Sequence, residues 1–264
     1  MENFPPNTCY LYFENAWGVM KKSYSQLQRE VVCQLAYGSA SAVKPSIVPM
    51  ERDYRGDPRR CLTSVAFVPS ATAQRIHCKV IGNLREIQPS HHYYPPDTMH
   101  ITIKNVRTVH TPPLFTDADI EKCRRVFAEV TARHSPFSFE LTQVVTFAAS
   151  VAVVGFCDEW LKDLVLDLDR ELHKAGVPDN KKYISNSVFF GNVTVCRFTA
   201  PPSGRLLKVT REMRDAVKAT VPVTAINLIT CDSVCSSSSC TRIDSFQLSD
   251  GQTSTDNKTD AGDV

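Results

Sequence analysis

The chain has 264 residues, of which 42% are hydrophobic and 22% are charged, as is usual for a soluble globular protein. Its formal net charge is only +2, which excludes a globally basic field that attracts nucleic acid without local contacts. The length allows one large domain or two small ones. The longest apolar stretch, 144–156, is too short for a bilayer, which takes about 20 residues. We therefore expect no membrane segment.

The ten cysteines are scattered along the chain. The N-terminus has no basic segment followed by an apolar run, so we expect no secretory signal and a cytoplasmic protein with free thiols. Cys231, Cys235 and Cys240 lie close together in sequence but lack a C-x-x-C pair and a nearby histidine. That pattern favours strand ends around the polar loop 236–239 over a zinc site.

Residues 1–58 read as an extension: an amphipathic helix followed by a connector rich in proline, serine and charge over 37–58. The apolar residues of this helix step by three and four, at Met20, Tyr24, Leu27, Val31 and Leu35. A strand is predicted over 61–68, and Ser70 can cap a helix that runs to about Ile87. Alternating residues then predict a strand over 99–106.

Thr116 offers a cap for the next helix, and strands are predicted over 137–141 and within 144–156. The clearest helix covers 159–175, where Trp160, Leu164, Leu168 and Leu172 step by four and Gly176 ends the pattern. A strand over 188–199, a helix over 206–219 and strands over 221–229 and 243–248 follow. Residues 249–264 are polar and predict a disordered tail. This order indicates an α+β (mixed α/β) domain with mostly antiparallel connections.

Two of the predicted strands are similar to each other in sequence. "HITIKNV" at 100–106 aligns with "NVTVCRF" at 192–198, and each follows a helix and a loop. Two half-domains would bring these strands together, so that His100, Thr102, Asn192 and Thr194 share one groove. Two hydroxyls beside an imidazole suit a phosphate, because the hydroxyls donate to its oxygens and the imidazole exchanges a proton. Chance similarity of two short strands is the alternative.

With these motifs the chain resembles the 2H phosphoesterase superfamily, which includes 2′-5′ RNA ligase-like proteins and cyclic nucleotide phosphodiesterases. The resemblance spans about Arg59–Leu248 and includes "CLTSVAFVP", "YYPPDTMHIT", "EWLKDLVLDLDRELHKAGV" and the closing "INLITCDSV…FQLS". It implies two pseudo-symmetric lobes with antiparallel sheets around a central cleft. The chain then divides into the extension 1–58, a phosphoesterase-like domain 59–248 and the tail 249–264. The family chemistry needs no metal or cofactor.

In the family, one histidine acts as general base, the other as general acid, and threonines and basic side chains hold the phosphate. The first H-x-T motif is intact at His100-Ile101-Thr102, whereas the second reads Asn192-Val193-Thr194. Asparagine can hydrogen-bond but cannot exchange a proton near pH 7. The resemblance thus implies two sets of residues. The catalytic set is His100, Thr102 and Thr194, and the substrate-binding set is Asn192, Arg197, Lys104 and Tyr94.

Simple alternation along the strands places some of these side chains. Lys104 is expected on the face of His100, and Cys196 on the face of Thr194. Arg197 has the opposite parity and is expected to point away, so its place rests on the family pattern. His91 and His92 lie in the preceding loop, either solvated or able to replace the missing acid.

Two functions remain open from the sequence. The first is an enzyme acting on an RNA-like phosphodiester, such as a 2′,3′-cyclic phosphate or a 2′-5′ linkage. The second is a non-catalytic module that binds a nucleotide or RNA end in the same cleft. Both predict a nucleotide or RNA end as partner and no membrane. The oligomeric state is open, with a monomer expected.

Overall fold

The structure is a computed structural model that describes residues 22–37 and 49–249. Met20 of the predicted first helix, most of the connector and nearly all of the predicted tail lie outside these residues. The helices are α1 (Tyr24–Tyr37), α2 (Ser70–Ile76), α3 (Gly82–Ile87), α4 (Asp117–Thr131), α5 (Trp160–Lys174) and α6 (Gly204–Glu212). The strands are β1 (Arg60–Phe67), β2 (His92–Tyr93), β3 (His100–His110), β4 (Phe137–Phe147), β5 (Ser150–Phe156), β6 (Gly191–Arg197), β7 (Ala219–Val223), β8 (Ala225–Cys231) and β9 (Thr241–Gln247).

The nine strands of the described residues join one sheet, with the order β7-β4-β5-β6-β3-β1-β8-β9 and with β2 attached to β6. Every neighbouring pair is antiparallel. The pair β6–β3 divides the main path into two halves of four strands. The two similar sequence segments are therefore neighbours at the centre of the sheet, which is where the groove was expected.

Most helices follow the sequence patterns, but α6 ends at Glu212 instead of the predicted residue 219, where β7 begins. The other helices show two smaller local differences. Thr116 caps α4 in a reciprocal capping box with Asp119, as the sequence predicts. Gly176 ends α5 with a positive φ of 75°. Trp160, however, begins α5 and is 52% exposed, so only the later residues of its stripe are buried. Ser70 is the first residue of α2 rather than its cap, and a π-helical turn, His77–Ile81, joins α2 to α3.

Helix α1 packs on the half of the sheet that contains β4 and β5. Val32 lies in an apolar cluster with Val145, Val154 and Phe156. The buried amide of Gln28 donates to the Phe189 carbonyl at 2.6 Å. The predicted helix is thus confirmed for the described residues, and it forms part of the wall of the cleft. No helix within 22–37 and 49–249 combines the length and apolarity that crossing a bilayer requires.

Candidate functional site

The central pair of strands brings the two motifs together. Ile101 lies opposite Val193 in the antiparallel register of β3 and β6. Continuing that register by one residue in each direction sets His100 beside Thr194 and Thr102 beside Asn192. Ile101 and Val193 are fully buried in the main core. The four flanking residues are half-buried and lie on the other face.

A β-bulge follows the first threonine. Val65 of β1 pairs with Thr102, but the preceding Ser64 pairs with Lys104, so Ile103 is an extra residue in β3. An extra residue reverses the alternation of side chains beyond it. Lys104 therefore lies on the face opposite to Thr102, and Asn105 lies on the same face as Thr102.

The second strand has the same bulge at the equivalent position. Ala152 of β5 pairs with Thr194, but the preceding Val151 pairs with Cys196, so one residue is extra in β6. The burial pattern from His100 to Asn105 is repeated from Asn192 to Arg197. The two motifs are thus equivalent in structure as well as in sequence.

These bulges correct three expectations from simple alternation. Arg197 faces the cleft with Thr194 instead of pointing away, and Cys196 is completely buried in the main core. Lys104 does not share the face of His100: it is 1% exposed and its ammonium forms ion pairs with Asp169 and, at 2.6 Å, with Asp179. The placement makes Lys104 part of a buried charge cluster and separates it from the cavity described next.

A cavity of about 220 Å³ lies over the two motifs. Its polar lining includes five residues from β3 and β6 and two from the loop that precedes β6: Thr102, Asn105, Asn192, Thr194, Arg197, Lys181 and Tyr183. Its apolar wall comes from α1, β4 and the same loop, and includes Val31, Leu35, Phe147, Phe189 and Phe190. The cavity is therefore polar at the sheet and apolar opposite it.

Two cations at this cavity, Arg197 and Lys181, form no ion pair within the described residues. The Arg197 Nε–H donates to the Tyr94 hydroxyl at 3.3 Å. Burial, together with the charge of Arg197, lowers the pKa of Lys181. An anion bound here would relieve that repulsion. Sequence reasoning missed Lys181, because it lies in an irregular loop with no periodic pattern to place it.

His100 is held in a defined tautomer. Its Nδ1–H donates to the Thr98 carbonyl at 2.7 Å, and the Tyr94 ring meets it edge-on with the centroids 6.4 Å apart. Burial lowers the pKa of His100, but the hydrogen bond and charge of Cys235 and the Thr98 carbonyl outweigh burial and raise it above its ordinary value. His100 does not line the enclosed cavity itself, and lies beside it next to Thr194.

The other predicted polar residues are placed as follows. The Asn192 amide donates to the Thr194 hydroxyl at 3.3 Å, which orients both toward the cavity. Tyr94 is 2% exposed and acts as a support between His100 and Arg197. His92 pairs with Arg197 across β2 and β6, and its buried Nε2 has no hydrogen-bond partner. His91 is buried, so neither histidine belongs to a solvated loop.

The four free thiols Cys61, Cys231, Cys235 and Cys240 pack together in a small cluster, in which the sulfurs of Cys61 and Cys231 are 3.4 Å apart. Among residues 22–37 and 49–249, no group of three or more histidine, cysteine or acidic side chains is arranged to hold a metal ion.

The fold matches solved structures at low sequence identity. TT0787 of Thermus thermophilus superposes with a TM-score of 0.53 at 15% identity, covering 74% of this chain and 99% of that one. E. coli LigT complexed with 3′-AMP superposes with a TM-score of 0.50 at 13% identity, covering 72% and 99%. LigT complexed with NADP+ gives 0.50 at 12% identity, covering 72% and 98%. The chain has the LigT-like 2H phosphoesterase fold.

The fold expectation from the sequence is thereby confirmed: a mixed helix and antiparallel sheet architecture of the 2H phosphoesterase type. No family model matches the chain, and no match is found among curated proteins. Within this 2H phosphoesterase fold, the position equivalent to His100 in the second motif is Asn192. The two equivalent positions therefore carry one imidazole and one amide.

Proposed function

We propose that the chain binds RNA-like phosphodiesters, in the form of a nucleotide or an RNA end, and cleaves them slowly with His100 as its one acid–base group. The substrate class is a 2′,3′-cyclic phosphate or a 2′-5′ linkage. Thr102 and Thr194 donate to the phosphate oxygens, Arg197 and Lys181 balance its charge, and Asn192 hydrogen-bonds to an oxygen on the second side. The reaction proceeds through proton transfer and fixed donors, without a metal or cofactor.

The observation that carries this proposal is the register of β3 and β6. This register sets His100, Thr102 and Thr194 on one face of adjacent strands, which supports a site where they share the oxygens of one tetrahedral phosphate. The two cations at the same cavity, Arg197 and Lys181, favour a dianionic or monoanionic ligand. Structures of LigT with 3′-AMP and NADP+ support a nucleotide ligand for this fold. The apolar wall opposite the sheet fits the ring of a base or sugar.

Asn192 sets the expected rate. A positioned acid or base raises the rate of such a reaction roughly 10²–10⁴-fold, and an amide cannot supply this acceleration. Cys235 and the Thr98 carbonyl raise the pKa of His100 above its ordinary value, which suits the role of acid toward the leaving oxygen. The attacking oxygen has no imidazole on the Asn192 side. The chain should therefore turn over more slowly than a two-histidine site while it still binds phosphate.

The test is turnover of a nucleoside 2′,3′-cyclic phosphate by wild type, His100→Ala and Asn192→His. We expect a slow wild-type rate, loss of that rate in His100→Ala, and an increase of roughly 10²-fold in Asn192→His. Asn105→His is the matched control, because it adds an imidazole to the same cavity at the wrong position. Equal rates in wild type and His100→Ala, both above the uncatalysed rate, would overturn the assignment of His100.

A second function is favoured by one specific observation, the amide at Asn192. The chain is then a non-catalytic module that binds a nucleotide or RNA end in the same cleft. This function predicts binding of 3′-AMP with no turnover by wild type at any pH. Turnover that disappears in His100→Ala would reject it. In either case we propose a cytoplasmic setting, which fits the free thiols of the described cysteines.

A further inference from the structure

Helix α1 encloses the cavity on the side opposite the two motifs. Val31 and Leu35 line the cavity, and Val32 packs into the apolar cluster on β4 and β5. Side chains three and four residues apart share one face of a helix. One face of α1 therefore meets both the sheet and the cavity, whereas Gln34 on the same helix is exposed and does not line the cavity.

Helix α1 also holds the end of the loop 181–190 that precedes β6. The Phe189 N–H donates to the Tyr24 hydroxyl at 2.9 Å, and the Phe189 carbonyl accepts from the Gln28 amide at 2.6 Å. The Tyr24 hydroxyl donates to the same carbonyl at 3.3 Å. Gln28 is completely buried. Backbone groups away from water need such partners, so α1 supplies to this loop what a neighbouring strand supplies in a sheet.

Ring contacts extend from Phe189 to a cation of the cavity. The rings of Phe189 and Tyr183 meet edge-on with their centroids 6.5 Å apart. The Lys181 ammonium lies 5.4 Å from the centre of the Tyr183 ring, where the negative face of the ring attracts it. All three residues line the cavity. The loop held by α1 thus brings an aromatic surface and a positive charge to the same cavity.

The two sides of the cavity suit the two parts of a nucleotide. Hydroxyls and a guanidinium on the sheet suit a phosphate, and the rings of Phe147, Phe189 and Phe190 on the other side suit a base, which stacks on aromatic side chains. The volume of about 220 Å³ is below the roughly 300–1,000 Å³ of pockets that hold drug-sized ligands. The cavity therefore has room for one base and not for two.

We propose that α1 and the loop 181–190 form a subsite for a single nucleobase, and that Tyr24 and Gln28 are positioning residues that act through Phe189. We call this region, lined by Val31, Leu35, Phe189 and Phe190, the base subsite. The proposal rests on the proposed function, because a phosphate held between β3 and β6 brings the base to this wall. It assigns recognition of the base to a helix that precedes the phosphoesterase-like domain predicted at 59–248.

The first experiment fills the base subsite and measures binding of 3′-AMP, adenosine and inorganic phosphate by calorimetry. Wild type should bind 3′-AMP roughly tenfold more tightly than phosphate, because one stacked base adds affinity of that order. Leu35→Trp should lose this advantage while its phosphate affinity stays the same. Gln34→Trp is the matched control, because it adds the same ring at an exposed position of α1, and it should bind all three ligands like wild type.

The second experiment tests Gln28 as a positioning residue. Gln28→Leu removes the closer donor to the Phe189 carbonyl and should weaken 3′-AMP binding by about fivefold, the effect of one hydrogen bond. Phosphate binding should fall less, since the contacts from the sheet do not depend on the loop. Gln34→Leu, the same change at an exposed position, should alter neither affinity. Equal losses for 3′-AMP and phosphate in Gln28→Leu would show a structural role only and would reject Gln28 as a positioning residue.

The three ligands separate failure of this proposal from failure of the proposed function. If Leu35→Trp binds 3′-AMP like wild type, or if wild type binds phosphate as tightly as 3′-AMP, the base subsite is rejected and the phosphate site stands. If wild type binds adenosine but not phosphate, and Leu35→Trp does not bind adenosine, the base subsite is supported and the proposed function is rejected. Binding of none of the three ligands rejects both.

A measurement on wild type covers the case in which Leu35→Trp does not fold. The methyl NMR signals of Val31 and Leu35 report on the base subsite directly, because both side chains line it. They should shift on addition of 3′-AMP and stay in place on addition of inorganic phosphate. Methyl signals that do not respond to saturating 3′-AMP would overturn the proposal.

Discussion

Ile101 and Val193 lie directly opposite each other where β3 meets β6, and both are completely buried. Because side chains alternate along a strand, burial of this pair turns the neighbouring imidazole, amide and hydroxyls to the opposite face. One apolar contact in the core thus fixes the relative position of both motifs.

Gly191, immediately before Asn192, keeps β6 close to the core. A Cβ there would lie 2.7 Å from two ring atoms of Phe139 and 3.1 Å from Ile101. We expect Gly191→Ala to lower the free energy of unfolding by about 1–3 kcal/mol through overpacking. It should also weaken phosphate binding, since Asn192 moves with the strand. Denaturant titration measures the first effect and calorimetry the second.

Gly204 is the matched control for that substitution, because a Cβ at Gly204 meets nothing within 4 Å at the start of α6. Gly204→Ala should leave phosphate binding unchanged and keep or slightly raise the stability, by up to about 1 kcal/mol. Equal destabilisation by both substitutions would contradict the close packing inferred at Gly191.

Lys104 stabilises the fold rather than holding substrate. Removing one member of a buried ion pair costs roughly 3–5 kcal/mol, because the partner charges stay buried. Lys104→Met should lower the denaturation midpoint accordingly, since Asp179, whose side chain is 8% exposed, loses its cation. Asp169 is 41% exposed and stays hydrated, so it adds little to this cost. Lys208→Met, in an exposed pair with Glu212 at 3.8 Å, should cost at most about 1 kcal/mol. If Lys104→Met keeps the stability of wild type but loses phosphate affinity, Lys104 binds the substrate instead of stabilising the fold.

Lys181 contributes charge to the cavity, and its exposed neighbour Lys182 does not line it. A charge-assisted hydrogen bond contributes about 1.5–3 kcal/mol, so Lys181→Gln should weaken phosphate binding by roughly tenfold or more. Lys182→Gln should change it little. Both variants remove one positive charge. A difference between their phosphate affinities, measured by calorimetry at equal ionic strength, therefore reports a local contact of Lys181 and not a general electrostatic effect. Equal losses would show that only net charge matters.

The pKa of His100 gives a test by pH. It is raised in the folded protein, so this group stabilises the fold below its unfolded pKa of about 6.5, and that contribution disappears as pH rises through the folded value. An NMR titration of wild type should give a pKa for His100 above the ordinary histidine value. The groups that act on it are Cys61, Tyr94, Arg197 and Cys235.

Cys235→Ser should lower the pKa of His100, because a hydroxyl carries no charge at this pH while the Thr98 carbonyl bond remains. The exposed variant Cys78→Ser is the control and should titrate like wild type. If the pKa of His100 is the same in Cys235→Ser as in wild type, Cys235 does not act on His100.

The sequence was sufficient for most helices and strands, because these depend on periodicity and local capping, and the similarity of the two segments was sufficient for the pairing of the motifs. It was not sufficient for residues 206–229, where the predicted helix ends early and the predicted strand is divided into β7 and β8. Thr116 and Gly176 mark helix ends through chemistry that acts over a few residues. The bulges after Thr102 and Thr194 were not predictable, since an extra residue is visible only against the partner strand. They reversed the expected placement of Lys104, Cys196 and Arg197.

Contacts from distant parts of the chain were equally hidden. The ion pairs of Lys104 come from α5 and from the loop after it, and Lys181 enters the cavity from an irregular segment. Cys235, which raises the pKa of His100, belongs to the loop between β8 and β9. The spacing of residues in the sequence does not predict these contacts, because they depend on how the sheet brings separate loops together.

The most direct test of the shared phosphate site is calorimetric binding of 3′-AMP to Thr102→Val, Thr194→Val and the double variant. Thr241→Val, an exposed threonine on β9, is the control. Each single change should weaken binding by about 5–10-fold, consistent with loss of one hydrogen bond of roughly 1 kcal/mol. The double variant should show coupling between the two losses, because both hydroxyls contact one group. Wild-type affinity in either single variant, or strictly additive losses, would contradict a single phosphate held between β3 and β6.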